Sequence, residues 1–160
     1  MINAKLINDC AVLLISKGLT IAFAESATAG RICAEFAMAE HAGMFLKGGL
    51  NCYDAALKEQ LLGVKPESIQ LFSPESALVT RAITEGLSRL IPADIHVGCT
   101  GFTCAGGSES EVKPVGTMFL YGTLKGKLLF NQKIYFEGPP ENIVSKTVEK
   151  TASLLIAYLS

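Results

Sequence analysis

Residues 24–30 read Ala24-Glu25-Ser26-Ala27-Thr28-Ala29-Gly30 and carry two hydroxyl side chains with almost no bulk. An apolar run of strand length and composition precedes them at residues 19–23. A segment typical of a helix follows at residues 31–39. The sequence therefore predicts a strand, a tight turn and a helix in succession, with Ser26 in the turn.

Two roles are open to Ser26 in such a turn. Backbone N–H groups at the start of a helix have no partner within it, and together with the helix dipole they form a site for an anion. The serine can cap the helix, or it can attack a carbonyl carbon whose oxygen rests on those N–H groups. A capping box is absent, because Ala29 and Arg31 occupy the positions of its Glu or Gln for Ser26 and Thr28.

The composition is that of a folded globular protein. The chain has 160 residues, of which 49% are hydrophobic, so we expect one domain over residues 1–160 with a sizeable core. A net charge of -1 without a Lys/Arg cluster argues against nucleic acid as the main ligand. No apolar stretch approaches the roughly 18 residues of a membrane span, and the start lacks the pattern of a signal peptide, so we expect no membrane partner.

The cysteines favour a reducing compartment. None of the five is part of a Cys-x-x-Cys pair, and they are scattered through apolar segments: Cys10, Cys33, Cys52, Cys99 and Cys104. Such a pattern indicates free thiols and predicts a cytoplasmic location. The two histidines lie near no cysteine pair, so we expect no metal site.

Hydrophobic periodicity predicts helices that alternate with strands early in the chain, followed by a hairpin. We expect helices over residues 3–17, 31–39, 55–62 and 141–159, a short one from Lys65 and a longer one from Ser73-Pro74-Glu75-Ser76. We expect strands over residues 19–23, 50–53, 94–100, 116–123 and 128–136. Two of these helices should each bury one stripe of side chains. In the helix from Ser73 the stripe is Val79, Ile83, Leu87 and Leu90, and in the last helix it is Val144, Val148, Thr151, Leu155 and Leu159. The predicted fold belongs to the α/β class. It is a three-layer α/β/α sandwich with a mixed, mostly parallel sheet.

Three loops should meet at one edge of this sheet, since ligands of open α/β sheets bind beyond the carboxyl ends of the strands. They are the turn at Ser26, the turn after Tyr53, and the loop after Thr100, which contains Gly106-Gly107. Together they offer a nucleophile, a base and an anion cradle. The loop after Thr100 matches neither a P-loop nor the dinucleotide fingerprint, and an ordinary surface loop is its alternative reading.

A serine nucleophile needs a base, and Lys58 is the best placed one. Lysine acts as a base at neutral pH only if burial or nearby cations lower its pKa. Tyr53, five residues earlier, can relay the proton or hold the serine hydroxyl. The alternatives are that Lys58 is a solvated helix charge and Tyr53 a half-buried strand aromatic. His41 falls in a loop and His96 in mid-strand, so both are poorer candidates.

Cys104 is a second, weaker candidate nucleophile in the loop after Thr100. No histidine follows it closely, and its neighbours carry no positive charge that would favour a thiolate. The sequence therefore favours Ser26 over this thiol.

Four motifs lie in a specific order and spacing along nearly the whole chain. They are Glu25-Ser26-Ala27-Thr28-Ala29-Gly30, Tyr53 and Lys58 followed by Leu61-Leu62-Gly63-Val64, Thr100-Gly101, and Lys113-Pro114-Val115-Gly116-Thr117. Through them the chain resembles the carboxy-terminal domain of the competence-damage protein family, known as the CinA or nicotinamide-nucleotide amidase family.

The resemblance implies an enzyme that hydrolyses the amide of nicotinamide mononucleotide, giving nicotinic acid mononucleotide and ammonia. It implies that Ser26 is the nucleophile, that Tyr53 and Lys58 activate it, and that neither a metal nor an organic cofactor takes part. The partner is then a small-molecule nucleotide, and a homo-oligomer is a further expectation. We expect substrate contacts from the serine turn and from the strand end and glycine loop around Thr100, namely from Thr28, Gly30, Thr100, Gly101, Gly106 and Gly107.

The chain also departs from the family pattern. Ala27 and Ala29 replace a Cys and a Gly in the serine turn, and the loop after Thr100 is one residue longer. Near the end, Gly138-Pro139-Pro140 stands where the family usually has glycine-aspartate-arginine, and Val144 stands where another arginine follows. Those arginines are natural partners of phosphate. The alternative is therefore a catalytically weak or silent member that acts as a ligand- or partner-binding module.

Overall fold

The computed structural model describes residues 1–160, which form six α-helices, a short 3-10 helix at Ala42–Met44 and five strands. The helices are α1 (Ala4–Ser16), α2 (Arg31–Ala37), α3 (Ala55–Leu62), α4 (Pro66–Phe72), α5 (Ala77–Leu90) and α6 (Pro140–Leu159). The strands are β1 (Ile21–Glu25), β2 (Leu46–Asn51), β3 (Ile95–Gly101), β4 (Thr117–Leu124) and β5 (Lys127–Tyr135). None of the helices combines the length and the hydropathy that crossing a membrane requires.

The strands form one mixed sheet in the order β2-β1-β3-β4-β5. β1 runs parallel to β2 and β3, whereas β4 runs antiparallel to β3 and β5. The α/β class and the mixed sheet are confirmed, but two parallel pairings of four do not make the sheet mostly parallel. The reason is that no helix follows β3 until β5 has ended, and without a crossover the chain can only return antiparallel.

Helices flank both faces of the sheet. On one face α1, α2 and α6 bury large side chains of the central strands, such as Phe23 and Val97. On the other face α3 and α5 cover small residues, such as Ala22 and Ala24. The small residues let α5 approach the sheet, and a Cβ on Gly98 would lie 2.8 Å from the carbonyl oxygen of Thr80.

The first strands differ from the predicted ones at their boundaries. β1 ends at Glu25, two residues beyond the predicted end, so the turn begins with Ser26 itself. β2 begins at Leu46 and includes Gly48 and Gly49, which lie before the strand predicted over residues 50–53. Gly49 belongs in a strand because a Cβ there would lie 2.9 Å from the carbonyl oxygen of Phe23 on β1.

Two helices also differ from the sequence prediction. α5 begins at Ala77 rather than at Pro74, because the side chain of Ser76 caps it by accepting a hydrogen bond from Val79 N. Leu90 is exposed at the end of this helix instead of continuing its buried stripe. In α6, Ile143 is fully buried and Val144 only partly, so the inner stripe begins one residue earlier than predicted.

Candidate active site

Ser26 lies immediately after β1 in a turn that is tied to the centre of the sheet. Its N–H donates to the carbonyl oxygen of Cys99 on β3 at 3.0 Å, and its side chain is almost completely buried. The carboxyl ends of β1, β2 and β3 meet here, because β1 is parallel to both neighbours and Glu25 is in register with Asn51 and Cys99. The predicted position of the serine turn at this edge is confirmed.

Glu25 holds the turn in shape through four hydrogen bonds to its buried carboxylate. It accepts from the hydroxyl of Thr28 at 2.6 Å and from the backbone N–H groups of Gly30, Ile32 and Cys33 at 3.1, 3.0 and 2.7 Å. These N–H groups belong to the first turn of α2, so the carboxylate caps that helix and complements its dipole. Sequence analysis assigned no role to Glu25, because its carboxylate acts beyond the spacing of a capping box.

Ser26 does not cap the helix, which excludes the first of its two roles. The N-cap residue of α2 is Gly30 at φ 92°, and it provides no side-chain cap. Because Glu25 takes up the N–H groups of the helix, the hydroxyl of Ser26 is left for another partner.

That partner is Lys58, whose side chain is 1% exposed. Its Nζ lies 2.9 Å from Ser26 Oγ, and it also donates to the carbonyl oxygens of Cys52 and Tyr53 at 2.9 and 3.2 Å. The interpretation of Lys58 as a solvated helix charge is therefore wrong, and its predicted proximity to Ser26 is confirmed. Asp54 caps α3 by accepting from Ala56 N, which places Lys58 on the side of the helix that faces the serine turn.

Burial lowers the pKa of Lys58 from its ordinary value of 10.5. The neighbouring Cys52, Glu75 and Asp54 act in the opposite direction, but desolvation is the larger effect. No carboxylate forms a salt bridge with the amine, since its three contacts are two carbonyl oxygens and one hydroxyl. This environment favours the neutral amine, which is the form that can accept a proton.

Tyr53 contributes to this arrangement through its backbone rather than its hydroxyl. Its carbonyl oxygen accepts the hydrogen bond from Lys58, whereas its side chain is 58% exposed and its hydroxyl is bonded to neither Ser26 nor Lys58. The ring lines the pocket in front of the serine. The role of the Tyr53 hydroxyl in activating Ser26 remains a prediction.

A pocket with a volume of about 210 Å³ opens in front of Ser26. This is below the roughly 300–1,000 Å³ of common ligand pockets, so it suits a ring-sized group whose remaining parts extend outward. Its lining comes from the serine turn, the turn after β2, the segment before α5 and the loop after β3. The lining residues are Ser26, Ala27, Tyr53, Glu75 and Gly101 to Gly107.

Two backbone N–H groups beside the nucleophile have no acceptor within the chain. The N–H groups of Ala27 and Thr28 take part in no hydrogen bond, whereas those of Ser26 and Ala29 are bonded to backbone carbonyls. Ala27 also lines the pocket. The Ala27 N–H, on a pocket-lining residue, is thus free to receive an oxyanion that forms next to Ser26 Oγ, and the Thr28 N–H follows it in the same turn.

The six residues expected to contact substrate fall into two groups. Gly101, Gly106 and Gly107 line the pocket, whereas Thr28, Gly30 and Thr100 do not. The Thr28 hydroxyl and the Gly30 N–H both donate to Glu25. Thr100 is fully buried, with its hydroxyl 2.9 Å from that of Thr80. The substrate-binding role of these residues remains a prediction.

The loop after β3 binds a carboxylate of the chain itself. Gly106 N donates to Glu109 Oε1 at 2.9 Å and Gly107 N donates to Glu109 Oε2 at 2.8 Å. These hydrogen bonds lower the pKa of Glu109. The glycine loop thus presents two N–H groups to one anion, as predicted, but the anion that they hold is the carboxylate of Glu109.

Lys113 lies in the segment between β3 and β4, and its amine is already hydrogen bonded within the chain. Its Nζ donates to the carbonyl oxygens of Phe72 and Glu75 and to the hydroxyl of Ser73. It also lies 6.0 Å from the centre of the Phe102 ring. Lys113 therefore joins the loop after β3 to the segment before α5 and does not line the pocket.

The two histidines and the cysteine that the sequence offered as weaker catalytic candidates make no hydrogen bond with Ser26. His96 is buried at the start of β3 with its Nε2 2.7 Å from the carbonyl oxygen of Ile91, and His41 precedes the 3-10 helix. Cys104 is an exposed free thiol at the rim of the pocket. None of the three is hydrogen bonded to Ser26, whose side chain has Lys58 as its partner.

A comparison with protein families matches residues 3–159 to the CinA C-terminal domain. The chain is 29% identical over 148 residues to a competence-damage inducible protein of Desulforudis audaxviator, covering 92% of this chain and 35% of that protein. It is 31% identical over 143 residues to a protein of the same description from Moorella thermoacetica, covering 89% of this chain and 34% of that protein. The chain thus spans about a third of the length of the curated relatives it matches.

Solved structures show the same fold over the whole chain. The crystal structure of a competence-damaged protein (CinA) superfamily protein from Enterobacter cloacae aligns with a TM-score of 0.92 at 27% identity. The alignment covers 100% of this chain and 94% of that one. The similarity therefore includes the strands and turns that surround Ser26.

Proposed function

The chain belongs to the CinA C-terminal domain family, and on that premise we propose that it is an amidohydrolase with Ser26 as its nucleophile. The observation that carries the proposal is the contact of 2.9 Å between the buried amine of Lys58 and the hydroxyl of Ser26. The proposed substrate is nicotinamide mononucleotide, and the products are nicotinic acid mononucleotide and ammonia.

Lys58 acts as the general base in the proposed mechanism. A neutral amine has two hydrogens and one lone pair, and the carbonyl oxygens of Cys52 and Tyr53 accept the two hydrogens. The lone pair then points to Ser26, so the serine hydroxyl donates to the amine and loses its proton to it as the oxygen attacks the amide carbon. The lowered pKa of Lys58 keeps part of the amine in this neutral form.

The oxyanion of the tetrahedral intermediate rests on the N–H groups of Ala27 and Thr28. They belong to the first and second residues after the nucleophile, and both lack an acceptor within the chain. Such N–H groups stabilise the charge that develops on the amide oxygen, and one of them is commonly worth a factor of about 10²–10³ in rate. The turn keeps them in place because Glu25 accepts hydrogen bonds from the hydroxyl of Thr28 and from the N–H of Gly30.

The protonated Lys58 next delivers its proton to the departing nitrogen, which leaves as ammonia and gives an acyl-enzyme on Ser26. A water molecule replaces the ammonia, loses a proton to the neutral amine and attacks the ester carbon. Collapse of this second intermediate releases the carboxylic acid and returns the proton to Ser26 Oγ. Each step uses only groups of this chain, the amide and water.

A binding module without catalysis is the second candidate, and two observations favour it. The amides of Gly106 and Gly107 are occupied by Glu109, and Val144 and Pro139-Pro140 stand where related chains are expected to carry arginines. Ammonia release from nicotinamide mononucleotide by the pure protein decides between the candidates. No release above the background at millimolar substrate would contradict the amidase proposal.

A further inference from the structure

Glu75 is the only charged residue among the eleven that line the pocket in front of Ser26. It lies in the segment before α5 and lines the cavity together with Ser26 and Ala27 of the serine turn. One of its carboxylate oxygens, Oε2, accepts a hydrogen bond from the Ser108 hydroxyl at 2.6 Å. The pocket is therefore negative on this side.

The carboxylate is close enough to the catalytic pair to influence its charge. Glu75 is among the groups that raise the pKa of Lys58 against the effect of burial. It forms no salt bridge with any lysine or arginine, since the Lys113 amine bonds the backbone carbonyl of Glu75 instead. The carboxylate also raises the pKa of Lys113 against the effect of burial, but Lys113 does not line the pocket, so Glu75 carries the charge that a bound group meets there.

Aromatic side chains accompany this carboxylate. Tyr53 and Phe102 both line the pocket, and the face of an aromatic ring attracts cations. The Lys113 amine already lies 6.0 Å from the centre of the Phe102 ring, so Tyr53 is the ring with no cation of the chain beside it. A carboxylate together with aromatic faces is a combination that recognises a flat cation. The same combination gives no advantage to a neutral ring and repels an anionic one.

We infer that Glu75 is a specificity-determining residue that selects a substrate with a positively charged ring. The inference rests on the proposed amidase function and narrows its substrate class. The ring nitrogen of nicotinamide becomes permanently positive when it carries a substituent such as ribose or a methyl group. The pocket therefore takes N-substituted pyridinium carboxamides in preference to free nicotinamide, whose ring is neutral.

Equilibrium binding of two probes tests the inference without turnover. We use the Ser26→Ala protein, with 1-methylnicotinamide as the cationic probe and nicotinamide as the neutral one, in isothermal titration calorimetry. We expect the cation to bind about tenfold more tightly, from its Coulomb and aromatic contacts together. Raising the salt concentration should weaken the binding of the cation and leave that of nicotinamide unchanged.

Two variants separate the charge of Glu75 from its structural contact with the loop. Glu75→Gln keeps an oxygen that can accept from Ser108 but removes the charge, and it should abolish the tenfold preference. Ser108→Ala removes the hydrogen bond and keeps the charge, so the preference should remain. Two results would overturn the inference. One is equal affinity for the two probes in the protein that keeps Glu75, and the other is an undiminished preference for the cation in Glu75→Gln.

The amidase proposal and this inference fail in different ways. Preference for the cation without ammonia release from any pyridinium amide contradicts the amidase proposal and leaves the charge selection standing. Ammonia release from 1-methylnicotinamide and nicotinamide with equal kcat/KM contradicts the selection by Glu75 and leaves the amidase proposal standing.

Discussion

Lys58 Nζ lies 2.9 Å from Ser26 Oγ, although 32 residues separate them along the chain. The parallel pairing of β1 and β2 brings them together, because Glu25 is in register with Asn51 and both strands end at the same edge. The serine turn follows one strand, and the turn into α3 follows the other. The contact is therefore a consequence of the sheet topology, and it supports the assignment of Ser26 and Lys58 as a catalytic pair.

Ser26→Ala should abolish amidase activity and leave the fold intact. The hydroxyl is the proposed nucleophile, and in other serine hydrolases its loss costs a factor of at least about 10³ in kcat. Stability should change by less than about 1 kcal/mol, because the hydroxyl caps no helix and bonds only to Lys58. Ammonia release and urea unfolding measure the two effects. Ser88→Ala, on the exposed side of α5, serves as the control, and near-normal turnover of Ser26→Ala would exclude this nucleophile.

Activity should rise with pH through the lowered pKa of Lys58. Below that pKa the amine is protonated and cannot accept the serine proton, whereas above it the neutral amine can. Since burial lowers the pKa, kcat/KM should reach its plateau below the ordinary lysine value of 10.5. A pH profile measures this, and an inflection at or above 10.5 would contradict the role of Lys58. Lys58→Arg should be inactive at every pH, because a guanidinium does not lose its proton in proteins.

The sequence could predict this pair because the strand, turn and helix that carry the two residues leave local patterns. A short apolar strand followed by Ser26, and a capped helix that begins at Asp54, both leave clear patterns. The sequence could not predict the bonds of Glu25, since the carboxylate acts on residues three to eight positions ahead, outside the spacing of a capping box. The pocket-lining position of Glu75 was also hidden, because Pro74 suggested a helix start there, whereas α5 begins at Ala77.

Glu25→Gln should lower the free energy of unfolding by about 2–3 kcal/mol. The carboxylate accepts four hydrogen bonds, and a carboxamide offers one oxygen and turns its NH₂ group towards some of the same donors. The N–H groups at the start of α2 then lose their acceptor. Urea unfolding measures the loss, with Glu40→Gln as the exposed control that should change stability by less than about 0.5 kcal/mol. Equal stability of the two variants would show that Glu25 does not hold the turn.

Ala29→Gly should raise the free energy of unfolding by about 0.5–1 kcal/mol. Ala29 has φ 50°, a left-handed conformation that costs an L-residue about 1–2 kcal/mol and costs glycine nothing. The greater freedom of glycine in the unfolded chain offsets part of the gain. Ala34→Gly, at an exposed position within α2, is the control and should lower stability by about 1 kcal/mol. A loss of similar size in both variants would show that the turn is unstrained.

The phosphate of nicotinamide mononucleotide should contribute little to its binding. Its expected arginine partners are replaced, the Thr28 hydroxyl donates to Glu25, and the Lys113 amine is fully engaged. The amides of Gly106 and Gly107 already hold Glu109, so a phosphate would have to displace a carboxylate of the chain. A hydrogen bond to a charged group is worth about 1.5–3 kcal/mol, so the lost arginines weaken binding by tenfold or more.

We therefore expect kcat/KM for nicotinamide riboside to equal or exceed that for the mononucleotide. Glu109→Gln should raise kcat/KM for the mononucleotide alone, because it removes one of the two acceptor oxygens that hold the glycine amides and a negative charge from the loop. Glu111→Gln is the matched control, since this nearby carboxylate is exposed and makes no hydrogen bond. A low-micromolar KM for the mononucleotide together with no activity on the riboside would mean that the phosphate is firmly bound. Because both carboxylates lie in the same loop segment, a general effect of charge would act through Glu111 as well, whereas release of the amides can act only through Glu109.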